Sequence, residues 1–290
     1  MGYNRINTPR VYTDLISQGL SSGWLDLDDI TMLQNDDSTA VSLDTGTESD
    51  LYDLRPANSV QIAKENQAFY IQLNTKLSTN ALAESNYLAI LNHNFLASEC
   101  MFKVELSDDV NMSSNVTTIS NSSNHSKLIN ATQSTISGNT TFIEADENGW
   151  TLIKWTTQTT ENQYLRITFK DTGGASQNFA DDVIIGSIMY GEYFEFPNAP
   201  EIGVTTKIDY DGIKLNKSLG GNSYATATNF GQPEWAKTLS WTNSTGADIS
   251  GYAFNKRTGR INHSIKFNYL SDTDVWSNNS SSIVTSEWFD

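Results

Sequence analysis

The stretch from Asn162 to Gly191, NQYLRITFKDTGGASQNFADDVIIGSIMYG, constrains the fold more than any other part of the chain. Leu165, Ile167 and Phe169 alternate with Arg166, Thr168 and Lys170, the period of two of a strand with one buried and one wet face. Val183 to Tyr190 is almost continuously apolar and rich in β-branched residues, as expected of a strand covered on both faces. Asp171-Thr-Gly-Gly between them is a turn signal. The expectation is two adjoining strands of one sandwich. Nothing in the stretch has the chemistry of a reaction centre, so it speaks for scaffold.

The same patterns recur along the chain. Phe69, Ile71 and Leu73 alternate with polar neighbours, Tyr87 to Leu91 is a short apolar run, and Phe102, Val104 and Leu106 alternate again, which predicts three strands of one sheet system. Residues 111–141 are dominated by Ser, Asn and Thr and predict a long polar excursion. Trp150 to Trp155 predicts a strand whose two tryptophans lie on opposite faces. With abundant Asn, Ser, Thr and Asp and few helical stretches, the chain is expected to be all-β.

The persuasive helix signal is N-terminal. Thr8 can cap, Pro9 suits the first helical position, Val11, Tyr12, Leu15 and Ile16 share a face, and Gly19 can end the helix. Residues 1–24 are therefore expected to form an amphipathic arm, packing on its own domain or docking on a neighbouring subunit. Asn198-Ala-Pro200 is the preferred boundary between a domain over 25–197 and a smaller β domain over 198–290. In that second part Trp276, Trp288 and Phe289 fall in a polar stretch, where they fold back or bury against another chain. Tyr12, Leu15, Ile16, Trp276, Trp288 and Phe289 are accordingly the candidate assembly contacts.

Charge and composition narrow the function classes. There are 18 Lys and Arg against 34 Asp and Glu, a formal charge of -16. Affinity for nucleic acid comes largely from clustered cations that release counterions, so nucleic-acid binding is disfavoured. The single cysteine, Cys100, excludes an internal disulfide and reads as a buried structural thiol. No run approaches the length of a membrane span, and the N-terminus lacks the apolar core of a signal peptide, so folding in a cytoplasm is expected.

No catalytic, cofactor or metal residue is assigned. His93, His125 and His263 are far apart with no partner at metal-ligand spacing. Asp26, Asp28, Asp29, Asp36 and Asp37 match no calcium loop and read as a solvated acidic edge. There is no Gly-x-Ser-x-Gly elbow and no phosphate-binding Gly-rich loop. Glu192 with Glu195, and Glu144 with Asp146, could serve as the two carboxylates of a glycosidase, but an acidic chain yields such pairs freely. The expectation is a protein that is not an enzyme. The tryptophans and tyrosines could alternatively form a sugar-stacking platform, since aromatic faces suit sugar rings as well as one another.

Four segments together carry a resemblance: Asn86 to Phe95 (NYLAILNHNF), Phe102 to Asp109 (FKVELSDD), Gln163 to Asp171 (QYLRITFKD) and Ile184 to Gly191 (IIGSIMYG). In this order they resemble the discoidin-like, galactose-binding-like jelly rolls of structural proteins of tailed bacteriophages. Asn92 stands where that family usually has glycine. Tyr3 to Asp14 and Gly259 to Ser271 are similar to opening and C-terminal parts of such proteins. The resemblance implies a discoidin-like jelly-roll β-sandwich acting as a non-enzymatic virion component, associated with the tail tip, baseplate or fibres and assembled in the host cytoplasm. Its partners would be other virion proteins and further copies of the chain, and host glycans are the alternative ligand. Discoidin-like domains often bind ligands through loops at one end of the barrel, and those loops match least here.

Overall fold

The computed structural model describes residues 8–35, 37–76, 85–136, 139–158, 163–173, 178–201, 203, 205–209, 215–225 and 260–268. Its strands in chain order are β1 Arg10–Tyr12, β2 Ile30–Gln34, β3 Leu43–Thr45, β4 Val60–Ile62, β5 Ala68–Asn74, β6 Ser85–His93, β7 Cys100–Ser107 and β8 Thr117–Thr118. Then follow β9 His125–Ile129, β10 Ala131–Ile136, β11 Asn139–Ala145, β12 Gly149–Gln158, β13 Tyr164–Asp171, β14 Val183–Ile185, β15 Ser187–Gly191 and β16 Tyr193–Glu195. The described residues form two units, Tyr12–Tyr193 and a second made of residues 8–11 and those from 194 onward.

The first unit is an all-β sandwich, built from the alternation in the sequence. β13 buries Leu165, Ile167, Phe169 and Asp171 and leaves the residues between them half-buried. It lies between β5 and β7, and register places Phe169 beside Phe69 and Phe102, Ile167 beside Ile71 and Val104, and Leu165 beside Leu73 and Leu106. Three apolar rows thus cross the middle of a seven-stranded sheet ordered β10-β11-β7-β13-β5-β2, with β8 on β7. The rings of Phe69 and Phe169 stack at 4.7 Å. Against these rows pack Leu88, Ile90, Ile153, Trp155, Ile188 and Tyr190 from a second sheet ordered β15-β6-β12-β9. Val60, Ile62, Val183 and Ile185 join the same core from the three-stranded sheet β14-β4-β3. Each such side chain removed from water contributes about 1.5–3 kcal/mol, which is how a chain with no disulfide holds together.

Several expectations are corrected. The run from Val183 to Tyr190 is not one strand, and neither half adjoins β13. It breaks at Gly186, with β14 pairing β4 and β15 pairing β6. A Cβ at Gly186 would overlap the Pro56 carbonyl oxygen and lie 2.5 Å from the Asn92 Cβ, so the chain can cross between sheets there only without a side chain. The strand at Tyr87 to Leu91 lies in the sheet opposite β5 and β7. Residues 111–141 are no simple excursion: β9 extends one sheet, β10 and β11 extend the other, and Ile119 and Ala131 are buried. β5 is buried on both faces, because Arg166 lies over the Tyr70 ring at 4.2 Å and donates to Gln72 Oε1 at 2.6 Å.

The N-terminal helix is displaced from its predicted place. Residues 10–12 form β1, which pairs with β16, and helix α1 spans Leu15–Ser22. Asp14, not Thr8, caps it, accepting from Ser17 N, and Gly23 closes it in the left-handed conformation. Thr8 instead donates to Glu195. The apolar face of the arm goes to its own domain, with Leu15 and Ile16 inside the core.

In the second unit β17 Thr205–Asp209 pairs with β20 Arg260–Ser264, and β18 Leu215–Lys217 pairs with β19 Ser223–Ala225. Phe196 and Phe267 stack at 4.9 Å. Among the described residues no helix is long and apolar enough to cross a membrane.

Candidate functional site

The four-stranded sheet has an apolar outer face as well as an apolar inner one. β6 sends Leu88 and Ile90 inward and Tyr87, Ala89 and Leu91 outward. β12 sends Ile153 and Trp155 inward and Trp150, Leu152 and Lys154 outward. Register aligns the outward residues in rows: Ser187, Leu91 and Trp150; Met189, Ala89, Leu152 and Ile129; Gly191, Tyr87, Lys154 and Lys127. Tyr12, on β1, closes the face from one side.

The result is a hollow of about 250 Å³ lined by Tyr12, Tyr87, Ala89, Leu91, Trp150, Leu152 and Met189. Sites for drug-sized ligands run to about 300–1,000 Å³, so this one suits a single ring laid against a shallow wall. Tyr12 meets Tyr87 edge-on at 4.9 Å and Tyr193 at 5.5 Å. The Tyr87 hydroxyl donates to the Thr13 carbonyl at 2.6 Å, and Tyr193 N donates to Asn86 Oδ1 at 2.9 Å. Burial, with the charge of Asp14, pushes the Tyr87 phenol up, so it stays a neutral donor. Tyr12, Leu91, Trp150, Met189 and Tyr193 are only partly buried. The aromatic wall is therefore fixed by backbone bonds at its base and open at its top.

The candidate assembly contacts separate. Tyr12 belongs to this hollow, Leu15 and Ile16 are core residues, and Trp276, Trp288 and Phe289 lie outside the described residues. Two of the carboxylates considered for glycosidase chemistry are placed as follows. Glu195 accepts from Arg10 Nε at 2.5 Å and from Thr8 at 2.8 Å, and Glu144 sits in the β10–β11 ladder opposite Thr132. Asp29 pairs with Lys76 at 2.6 Å, which lowers its pKa despite some burial. His93 stacks on Phe95 at 4.1 Å, and burial pushes its pKa down to about 3. Cys100 is buried and its thiol is pushed up. No three of His, Cys, Asp and Glu gather as a metal site would need, among the described residues.

Two motif residues acquire structural roles. Asn92, where glycine is usual in the resembling family, has φ 54°, the left-handed region that Asn tolerates better than most side chains. Its amide donates to the Pro56 carbonyl at 2.5 Å. Asp109 accepts from Asn111 N, Ser113 N and the Ser113 and Ser114 hydroxyls, which holds its carboxyl down at about 2. It organises a turn.

Sequence reasoning places Trp150 on a strand and offers the tryptophans and tyrosines as an alternative sugar platform, but it does not single out Tyr87, Lys154 or Tyr193. The signal was present: a doubly apolar strand in a sheet with one open face leaves aromatic groups that need a cover.

No protein-family model matches the chain, and no curated protein matches it in sequence. Among solved structures it is similar to chitosan-binding module 1 of a chitosanase/glucanase from Paenibacillus sp. IK-5, at 14% identity and TM-score 0.36, over 56% of this chain and 93% of that one. A selenomethionine-labelled mutant of the same module matches at 13% identity and TM-score 0.35, over 56% and 92%. The sandwich described above rests on the sheet pairing and the shared core.

Proposed function

We propose that the protein is a non-enzymatic glycan-binding β-sandwich and that the hollow on the outer face of β15-β6-β12-β9 is its sugar site. The observation that carries this reading is an apolar hollow on the outer face of the sheet, in which the partly exposed Trp150 and Tyr12 stand over the buried Tyr87, with Tyr193 packed beside them. The apolar face of a pyranose ring packs on such aromatics, and a site on strands holds its geometry better than one on loops. Titration calorimetry of the full chain against oligosaccharides from bacterial surface and plant or fungal walls tests it. Trp150→Ala should weaken binding about tenfold or more, as losses of central aromatic anchors do. A chain that binds no sugar in the panel refutes the reading.

A second reading is favoured by the order of the motif segments. The four that resemble tailed-phage structural proteins fall on β6 and its turn, on β7, on β13 and on β14 with β15, all in one sandwich. In that reading the protein is a virion component near the tail, working through assembly with itself and with other virion proteins, and the hollow faces host glycans. Locating the protein in assembled particles by antibody labelling tests it, and its absence from particles refutes it.

A further inference from the structure

The outer face changes character along β12. Trp150 and Leu152 are followed by Lys154, and register sets Lys154 opposite Tyr87 on one side and opposite Lys127 on the other. Lys154 is only 4% exposed, and its ammonium lies 4.0 Å from the centre of the Tyr193 ring. In a chain with 34 carboxylates against 18 cations, neither lysine has an ion-pair partner among the described residues.

That arrangement is unfavourable in the empty protein. Like charges directly opposite on neighbouring strands repel, and an ammonium withdrawn from water without a counter-charge is costly. The aromatic face of Tyr193 offsets part of that cost. An anion arriving from outside would remove the remaining imbalance. A cation at this depth, at the end of an aromatic wall, sets both the sign and the position of the charge a ligand must bring.

We propose that the hollow selects anionic oligosaccharides, with a ring stacked at Trp150 and an acidic group held by Lys154 and Lys127. This rests on the glycan reading above. Trp150 and Lys154 are four residues apart on one strand, about 13 Å at the usual rise, which is more than one sugar ring. The ligand is therefore a disaccharide or longer whose acidic group is not on the ring that Trp150 holds.

The test is calorimetry on the full chain with three probes of matched length: an oligouronate, its neutral counterpart of the same linkage, and that neutral oligomer sulfated. At least one anionic probe should bind about tenfold tighter than the neutral one, as expected for a hydrogen bond to a charged group. Whether the oligouronate or the sulfated oligomer binds identifies the acid. Lys154→Met should abolish the preference, and Lys127→Gln, at an exposed position, should reduce it in a protein whose circular dichroism is unchanged. Raising salt should weaken anionic binding in the unaltered protein, a measurement that needs no variant. Equal binding of neutral and anionic probes, or a preference that survives both substitutions, overturns the inference and leaves the glycan reading standing. No binding of any of the three probes also overturns the inference, while the glycan reading falls only if the wider panel above gives no binding.

Discussion

Asp14 joins the N-terminal arm to the sandwich, and its removal has a cost that can be worked out in advance. One carboxylate oxygen accepts from Tyr190 N at 3.0 Å, on the edge strand β15, and the other accepts from Ser17 N at 3.0 Å and from the Ser17 hydroxyl. In Asp14→Ala the helix loses its cap, at about 1 kcal/mol. The Tyr190 N–H is left buried and unpaired, at about 1–3 kcal/mol. At about 2–4 °C per kcal/mol for a domain of this size, the melting temperature should fall by roughly 5–15 °C. Asp14→Asn keeps a neutral acceptor and should stay within about 1 kcal/mol of the unaltered protein at neutral pH.

The pH dependence separates the two variants further. Burial raises the Asp14 pKa above its ordinary value, against the opposing hydrogen bonds from Ser17 and Tyr190. A raised carboxyl in the folded state stabilises the fold below its unfolded pKa, and that contribution is lost as pH rises through the folded value. Relative to Asp14→Asn, the unaltered protein should therefore gain stability as pH falls from neutrality through the carboxylate range. Thermal melts followed by near-ultraviolet circular dichroism would read this, because Trp155 and Tyr190 stack 6.3 Å apart in the core. An Asp14→Ala melt within about 2 °C of the unaltered protein, or a difference from Asp14→Asn that is flat with pH, refutes the reasoning.

Two further substitutions probe the crossing between sheets. Gly186→Ala drives a methyl into the Pro56 carbonyl and should cost about 3 kcal/mol or more, read as loss of soluble protein or a large drop in denaturation midpoint; an unchanged midpoint would show that the crossing can relax. At Asn92, Val should cost about 2 kcal/mol through its left-handed backbone, while Gly should be nearly neutral because relief of that strain offsets the lost bond to Pro56. Equal urea midpoints for the two variants would remove the backbone argument.

What could be read from sequence follows from how local each signal is. β13 and β7 carry their faces in their own alternation, so Ile167 and Val104 could be assigned before any partner was known. The run from Val183 to Tyr190 could not be divided, because the break at Gly186 is imposed by Pro56 and Asn92, far away in the chain. Residues 111–141 misled by composition: edge strands tolerate Ser, Asn and Thr on their outer face, and isolated Ile119 and Ala131 are enough to seat them. The helix moved because Asp14 finds two clients, Ser17 and Tyr190, whereas Thr8 bonds Glu195 instead of a helical N–H. Tyr12 could be picked out only as part of a helical apolar face, whereas Trp150 and Lys154 acquire a site only when β12 pairs with β6 and β9, some sixty and twenty-five residues back.

The pairing of β1 with β16 has a mechanical consequence. Thr13 N donates to the Glu192 carbonyl and Phe196 N to the Pro9 carbonyl, so the two segments run in opposite directions side by side where the chain comes into the sandwich and where it leaves. A load drawn between Pro9 and Phe196 would open this stem like a zip, one bond after another, instead of shearing whole ladders at once. The stem then acts as a fuse for the hollow: Tyr12 lies on β1, so opening the stem would take away one side of the hollow before any bond of the four-stranded sheet beneath it is loaded.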